Sequence, residues 1–199
     1  MFLNPKKPNY EFPIFTEEGH IYKDKNGIIL PSITQIISGI KEYEGNYNET
    51  NQEWGKARHM VCQLYDEKDL DESTVSEDLK PALEAWKKFV NETKFEPMLI
   101  EQPLMHQTLR FCGTPDRYGK CFGLLSVVEI KPNFISRRVP YQTAGQQMLI
   151  EDLGYKVESR FSVHISDDGT YALSEHKDWR QIEIFRSLLT VCNAQMEVK

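Results

Sequence analysis

Between residues 97 and 131 the hydrophobic pattern changes period, and that change limits the folds open to the chain. Before it, "WGKARHMVCQLYDE" (54–67) and "LKPALEAWKKFVNET" (79–93) repeat apolar residues every three or four positions, as amphipathic helices do. Ala57, Met60, Val61 and Leu64 share a face of the first; Leu79, Ala82, Leu83, Trp86, Phe89 and Val90 share a face of the second. Then "PMLIEQPL", "TLRFCGTPD" and "GLLSVVEIK" are short, aliphatic and bounded by Pro, Gly or Asp, which predicts three successive strands. Helical spacing returns over 140–154 and stops at Gly154. "YKVESRFSVHI" and "TYALSEH" predict a hairpin about Asp-Asp-Gly, and a helix capped by Asp178 closes the chain. This order predicts an α/β layered domain with one mixed sheet, helix 140–154 crossing between strands on one face.

Upstream, residues 19–32 predict a hairpin with a Lys-Asn-Gly turn, and Ser32 and Gly39 bracket a short helix. Residues 41–53 and the acidic stretch 66–78 are polar and predict solvated connections, 41–53 being alternatively a mobile flap near a substrate. There is no internal repeat, and 199 residues suit one sizeable domain. The expected domain covers 1–199: an N-terminal hairpin and helices (19–95), a sheet core (98–175) and a terminal helix (178–195).

Several classes are excluded by composition. No run of 18 apolar residues exists to span a membrane, and the N-terminus lacks the apolar stretch of a signal peptide, so a cytoplasmic protein is expected. Asn48 and Asn91 begin "NET" acceptor patterns that have no meaning in that compartment. Cys62, Cys112, Cys121 and Cys192 form no C-x-x-C pair and read as free buried thiols. A net charge of −6 argues against a protein that coats nucleic acid electrostatically. It leaves room for an enzyme that meets phosphates locally through a divalent cation.

The chemistry concentrates in "GTPDRYGKCFGLLSVVEIKP" (113–132). If 109–116 and 124–131 pair as neighbouring strands, Asp116 and Glu129 come close together. Glu129 and Lys131 project from one face of their strand, and Ile130 points into the opposite layer. Two carboxylates on a rigid scaffold suit Mg²⁺ or Mn²⁺, and an adjacent lysine can orient a water or stabilise an oxyanion. That is equipment for in-line attack of water on a phosphodiester. Taken alone, Glu-x-Lys is also a common surface charge pair. His59 lies about 200° from Ala57 on its helix, away from the apolar stripe, and faces either bulk solvent or a cleft.

"GTPDR…VVEIKP" resembles the PD-(D/E)XK nuclease superfamily, in particular its RecB-like phage-type exonucleases. "GKARH" is similar to that branch's metal-binding histidine helix, "YQTAGQQ" to its glutamine-rich helix, and "LPSITQII" to a segment that opens many phage members. The likeness extends over roughly residues 19–195. Pro132 departs from it, standing where many relatives have Thr or Ser, and the cysteines do not reproduce the cluster pattern of the iron–sulfur members.

The resemblance implies a restriction-endonuclease-like core and a Mg²⁺- or Mn²⁺-dependent deoxyribonuclease, exonucleolytic rather than endonucleolytic. It implies a role in phage or prophage recombination or replication. The metal would be held by His59, Asp116, Glu129 and the Ile130 carbonyl, with Lys131 acting on the water. Tyr141, Gln142 and Gln146 would contact DNA or brace Lys131. Glu101 is either an accessory acid or an edge-strand charge, and Arg117, Arg137 and Arg138 are either phosphate contacts or ordinary surface charge. His20, His106, His164 and His176 match no motif. The implied partner is DNA; a homo-oligomer and a recombination partner such as a single-strand annealing protein are compatible. Two other classes stay open: a non-catalytic nucleic-acid-binding protein, and a host-interaction protein that kept the fold.

Overall fold

The structure, a computed structural model, describes residues 1–42, 49–132 and 136–197, with the side chains of 49–54, 132 and 197 outside the description. Its centre is a five-stranded mixed sheet. The strands are β4 (Glu96–Ile100), β7 (Arg117–Cys121), β8 (Leu124–Pro132), β9 (Ser159–Ile165) and β10 (Tyr171–Glu175), in the order β10-β9-β8-β7-β4. Only β8 and β9 run parallel, joined by the crossover helix α4 (Val139–Asp152). A three-stranded sheet of β1 (Ile14–Thr16), β2 (Ile21–Lys23) and β3 (Ile29–Leu30) contains the expected hairpin, and β5 (Leu104–Met105) pairs with β6 (Cys112–Gly113).

Side-chain parity along β8 builds the two cores. Val127 joins Leu99, Tyr118, Leu149 and Phe185 beneath α4 and the terminal helix α5 (Arg180–Glu197). Val128 and Ile130 face the other way, against Cys62 of α2 (Glu49–Glu67) and Trp86 and Phe89 of α3 (Lys80–Thr93). One polar residue, Glu129, sits between these apolar neighbours on the α4 side. The short helix α1 (Ile33–Ile36) starts at a full capping box: Ser32 Oγ accepts the Gln35 amide at 3.2 Å, and Gln35 Oε1 accepts the Ser32 amide at 2.9 Å.

Three expectations are corrected. The partner of β8 is 117–121, not 109–116; within the latter stretch only Cys112–Gly113 is strand, and it pairs with β5. Second, α2 begins at Glu49, so 49–53 of the expected loop 41–53 is helix; residues 43–48, Asn48 among them, lie outside the described residues. Third, the buried side of α2 is Val61, Cys62 and Asp66, while Met60 is exposed. Cys62, Cys112 and Cys121 are buried and Cys192 half-buried, all free. Among the described residues, no helix is long and apolar enough to cross a membrane.

Candidate active site

At the end of β8 the chain brings four carboxylates and three cationic side chains together. Asp116 directly precedes β7, and the pairing of Arg117 with Val128 sets it beside Glu129 and Ile130. Its Oδ2 accepts the Ile130 amide at 2.7 Å, a bond that fixes the carboxylate at the strand end. Glu129 is almost wholly buried and saturated with donors: Lys131 Nζ at 2.7 Å and Gln142 Nε2 at 2.6 Å on Oε1, and Gln146 Nε2 at 2.6 Å on Oε2. Gln142 and Gln146 are one turn apart on α4, which is why one helix face reaches both oxygens.

His59 comes from α2 on the other side of the sheet. Its Nε2 lies 3.1 Å from the Ile130 carbonyl oxygen, while Nδ1 lies 3.6 Å from Glu101 Oε1 and 3.7 Å from Asp116 Oδ2. With Nε2 donating to Ile130, Nδ1 is the ring nitrogen turned toward the two carboxylates. Ligand atoms of His59, Glu101 and Asp116 all lie within 4.8 Å of one another, and this trio is the one group of its kind among the described residues. The sequence expectation had Glu129 in that place and Glu101 as an accessory; the tight trio contains Glu101, with Glu129 tied back to α4. Glu101 follows β4 at φ +46, a left-handed conformation that turns the chain out of the strand beside Asp116.

The electrostatics follow from crowding of buried and half-buried charges. Burial lifts the Glu129 carboxyl above its ordinary range, and the Asp116 charge adds to it. Burial also lifts Asp116, with Glu101 adding and the His59 ring and Lys131 opposing. Burial alone would depress His59, but Asp116 and Glu101 together hold it above its ordinary value. The side chains of His59, Glu101 and Lys131 keep 30%, 25% and 22% of their surface, so the site opens to solvent on their side.

Arg117 is corrected most sharply. It is fully buried, with Nε 2.6 Å from Asp66 Oδ2, so it cannot be a surface phosphate contact. Asp66 in turn accepts the Trp86 indole N–H at 2.9 Å. The 66–78 stretch, expected to be solvated, therefore begins with a buried anion. The Arg138 guanidinium is used structurally too, donating to the Ile40 and Ser38 carbonyls at 2.9 Å each. Arg137 is exposed, and its amide reaches Glu42 at 3.2 Å. The glutamines brace Glu129 rather than Lys131, and Tyr141 packs against the α4–α5 core. Sequence reasoning passed over a second network: Ser162 Oγ lies 3.0 Å from Nε2 of both His164 and His176, and His164 is the in-register neighbour of Lys131.

No family profile matches the chain, and no curated protein does. Among solved structures, it is similar to an alkaline exonuclease (LHK-Exo) from Laribacter hongkongensis. The TM-score is 0.50 and the identity 14%, over 84% of this chain and 87% of that one. The same exonuclease in complex with dAMP gives 0.46 at 15% identity, over 85% and 88%. At this identity the likeness establishes a shared fold: a mixed central sheet flanked by helices, as in that nuclease.

Proposed function

We propose that the chain is a divalent-metal-dependent deoxyribonuclease, an exonuclease by the likeness of its fold and motifs, acting in phage or prophage recombination or replication. One domain over 1–199 carries the activity. The single observation that carries the reading is the His59–Glu101–Asp116 trio, set beside a buried Glu129 and its Lys131.

The residues fit a divalent ion by charge. Asp66, Glu101, Asp116 and Glu129 face two permanent cations, Arg117 and Lys131. With His59 neutral, two negative charges remain for Mg²⁺ or Mn²⁺ to balance. His59 Nδ1, Glu101 and Asp116 would hold the ion; the Ile130 carbonyl accepts from His59 Nε2 on the other side of the ring, and Glu129 is held by Lys131 and the two glutamines. When bound, the ion polarises the phosphodiester and stabilises charge on its oxygens. Lys131 orients the attacking water by its ammonium; the water oxygen bonds to phosphorus as the opposite P–O bond breaks, the water giving up a proton to solvent and the leaving oxygen taking one from solvent. Gln142 and Gln146 keep Glu129 from swinging away as substrate enters.

The test is digestion of 5′- and 3′-labelled single- and double-stranded DNA, linear and circular. Expected are end-dependent cleavage in Mg²⁺ or Mn²⁺, binding without turnover in Ca²⁺, and no cleavage in EDTA. Metal-independent cleavage, or DNA binding with no cleavage in any divalent ion, would sink the reading.

A further inference from the structure

The group that aligns the trio lies behind it. His59, Glu101 and Asp116 come from three segments: α2, the exit of β4 and the entry of β7. The Arg117 guanidinium touches each of the three. Its Nε donates to Asp66 on α2, seven residues beyond His59. Its Nη1 donates to Glu101 Oε1 at 3.1 Å and to the Asp116 carbonyl at 2.6 Å. The Glu101 oxygen it holds is the one that faces His59 Nδ1. Behind it, the guanidinium carbon lies 5.8 Å from the Trp86 ring centroid, and Trp86 also donates to Asp66.

We infer that Arg117, anchored by Asp66, is the positioning residue of the metal site. It sets the separation between α2 and the β4 and β7 ends so that three ligands meet at one point. The inference rests on the trio being a metal site. Chemistry points the same way. Arg117 is a fixed cation, as a guanidinium is in proteins. It offsets charge between carboxylates that would otherwise drive each other apart. Its planar fork presents donors in two directions at once; a lysine has one point of charge and cannot span Asp66 and the Glu101–Asp116 pair.

The experiment measures Mn²⁺ affinity by calorimetry and by the Mn²⁺ paramagnetic resonance signal, on the full chain without DNA. Wild type is compared with Arg117→Lys, Asp66→Asn and a control, Leu189→Ala, which opens a cavity in the α4–α5 core, a cluster that holds none of the trio. Arg117→Lys and Asp66→Asn should each weaken Mn²⁺ about tenfold or more, as outer partners of ligands do. Leu189→Ala should melt earlier with wild-type affinity, because stability loss alone does not move the ligands. If Arg117→Lys does not fold, Asp66→Asn decides, since it keeps Arg117 and the shape of the side chain. Wild-type affinity in folded Arg117→Lys or Asp66→Asn overturns the positioning role and leaves the nuclease reading intact. Failure of the wild type itself to bind Mn²⁺ overturns the metal site, and the positioning role with it.

Discussion

At the scale of single residues, the two buried carboxylates are treated differently. Asp116 Oδ2 accepts one backbone amide and faces His59, whereas Glu129 receives three side-chain donors. Asp116 is therefore the more available ligand. Asp116→Asn and Lys131→Ala should each lower cleavage about 10²-fold or more, roughly 2.7 kcal/mol of transition-state stabilisation, without loss of fold. Near wild-type rates in either folded variant, measured on end-labelled DNA, would remove that residue from the mechanism. Asp116, Glu129 and Lys131 were legible because strand parity and a turn-borne aspartate are local signals. Arg117 was not. Its role depends on which strand begins at 117, and its partner Asp66 lies in a stretch whose composition suggests solvent. Glu101 was legible as either an accessory acid or an edge-strand charge, but not as a member of a tight trio with His59 and Asp116. That membership rests on a left-handed turn no pattern announces.

At the scale of elements, the order of helices and strands was legible from the change of period. The strand that pairs with β8 was misplaced for a physical reason. "RYGKCFG" looks like a turn because it holds two glycines, yet Gly119 lies inside β7. A Cβ there would come within 2.2 Å of the Glu96 carbonyl oxygen, so the close approach of β4 requires glycine. The true turn is Phe122–Gly123, with φ +52 and +80, the paired positive values of a tight hairpin. Gly119→Ala should destabilise the chain by about 3 kcal/mol, because the obstructing atom is backbone and cannot rotate away. Urea unfolding within experimental error of wild type would show that β4 slides without cost. Ser32→Ala, which removes half of the α1 capping box, should cost about 1 kcal/mol in the same assay.

For the whole molecule, a divalent ion held by the trio would tie stability, pH and metal together. Asp116, Glu129 and His59 all have raised affinity for protons in the folded, metal-free protein, against ordinary values of 3.8, 4.5 and 6.5. The folded state then binds more protons than the unfolded chain in the windows above those values. Their stabilising contribution is complete below the ordinary values and is lost as pH rises through the raised ones. A divalent ion needs the same groups without their protons, so its contribution grows as theirs fades. Burial lowers His20, His106 and His176, which act in the opposite sense. They do so with or without metal and cancel in the difference. The expected result is a melting-temperature increment from Mg²⁺ near zero in the acid range, rising steadily through neutrality. At about a hundredfold excess over Kd the ion adds about 2.7 kcal/mol. For a chain of this size that corresponds to about 5–10 °C. Proton release on Mg²⁺ binding, read by calorimetry in buffers of different ionisation enthalpy, should accompany it. An increment of equal size in acid and at neutral pH, with no protons released, would mean that the ion binds away from these three residues.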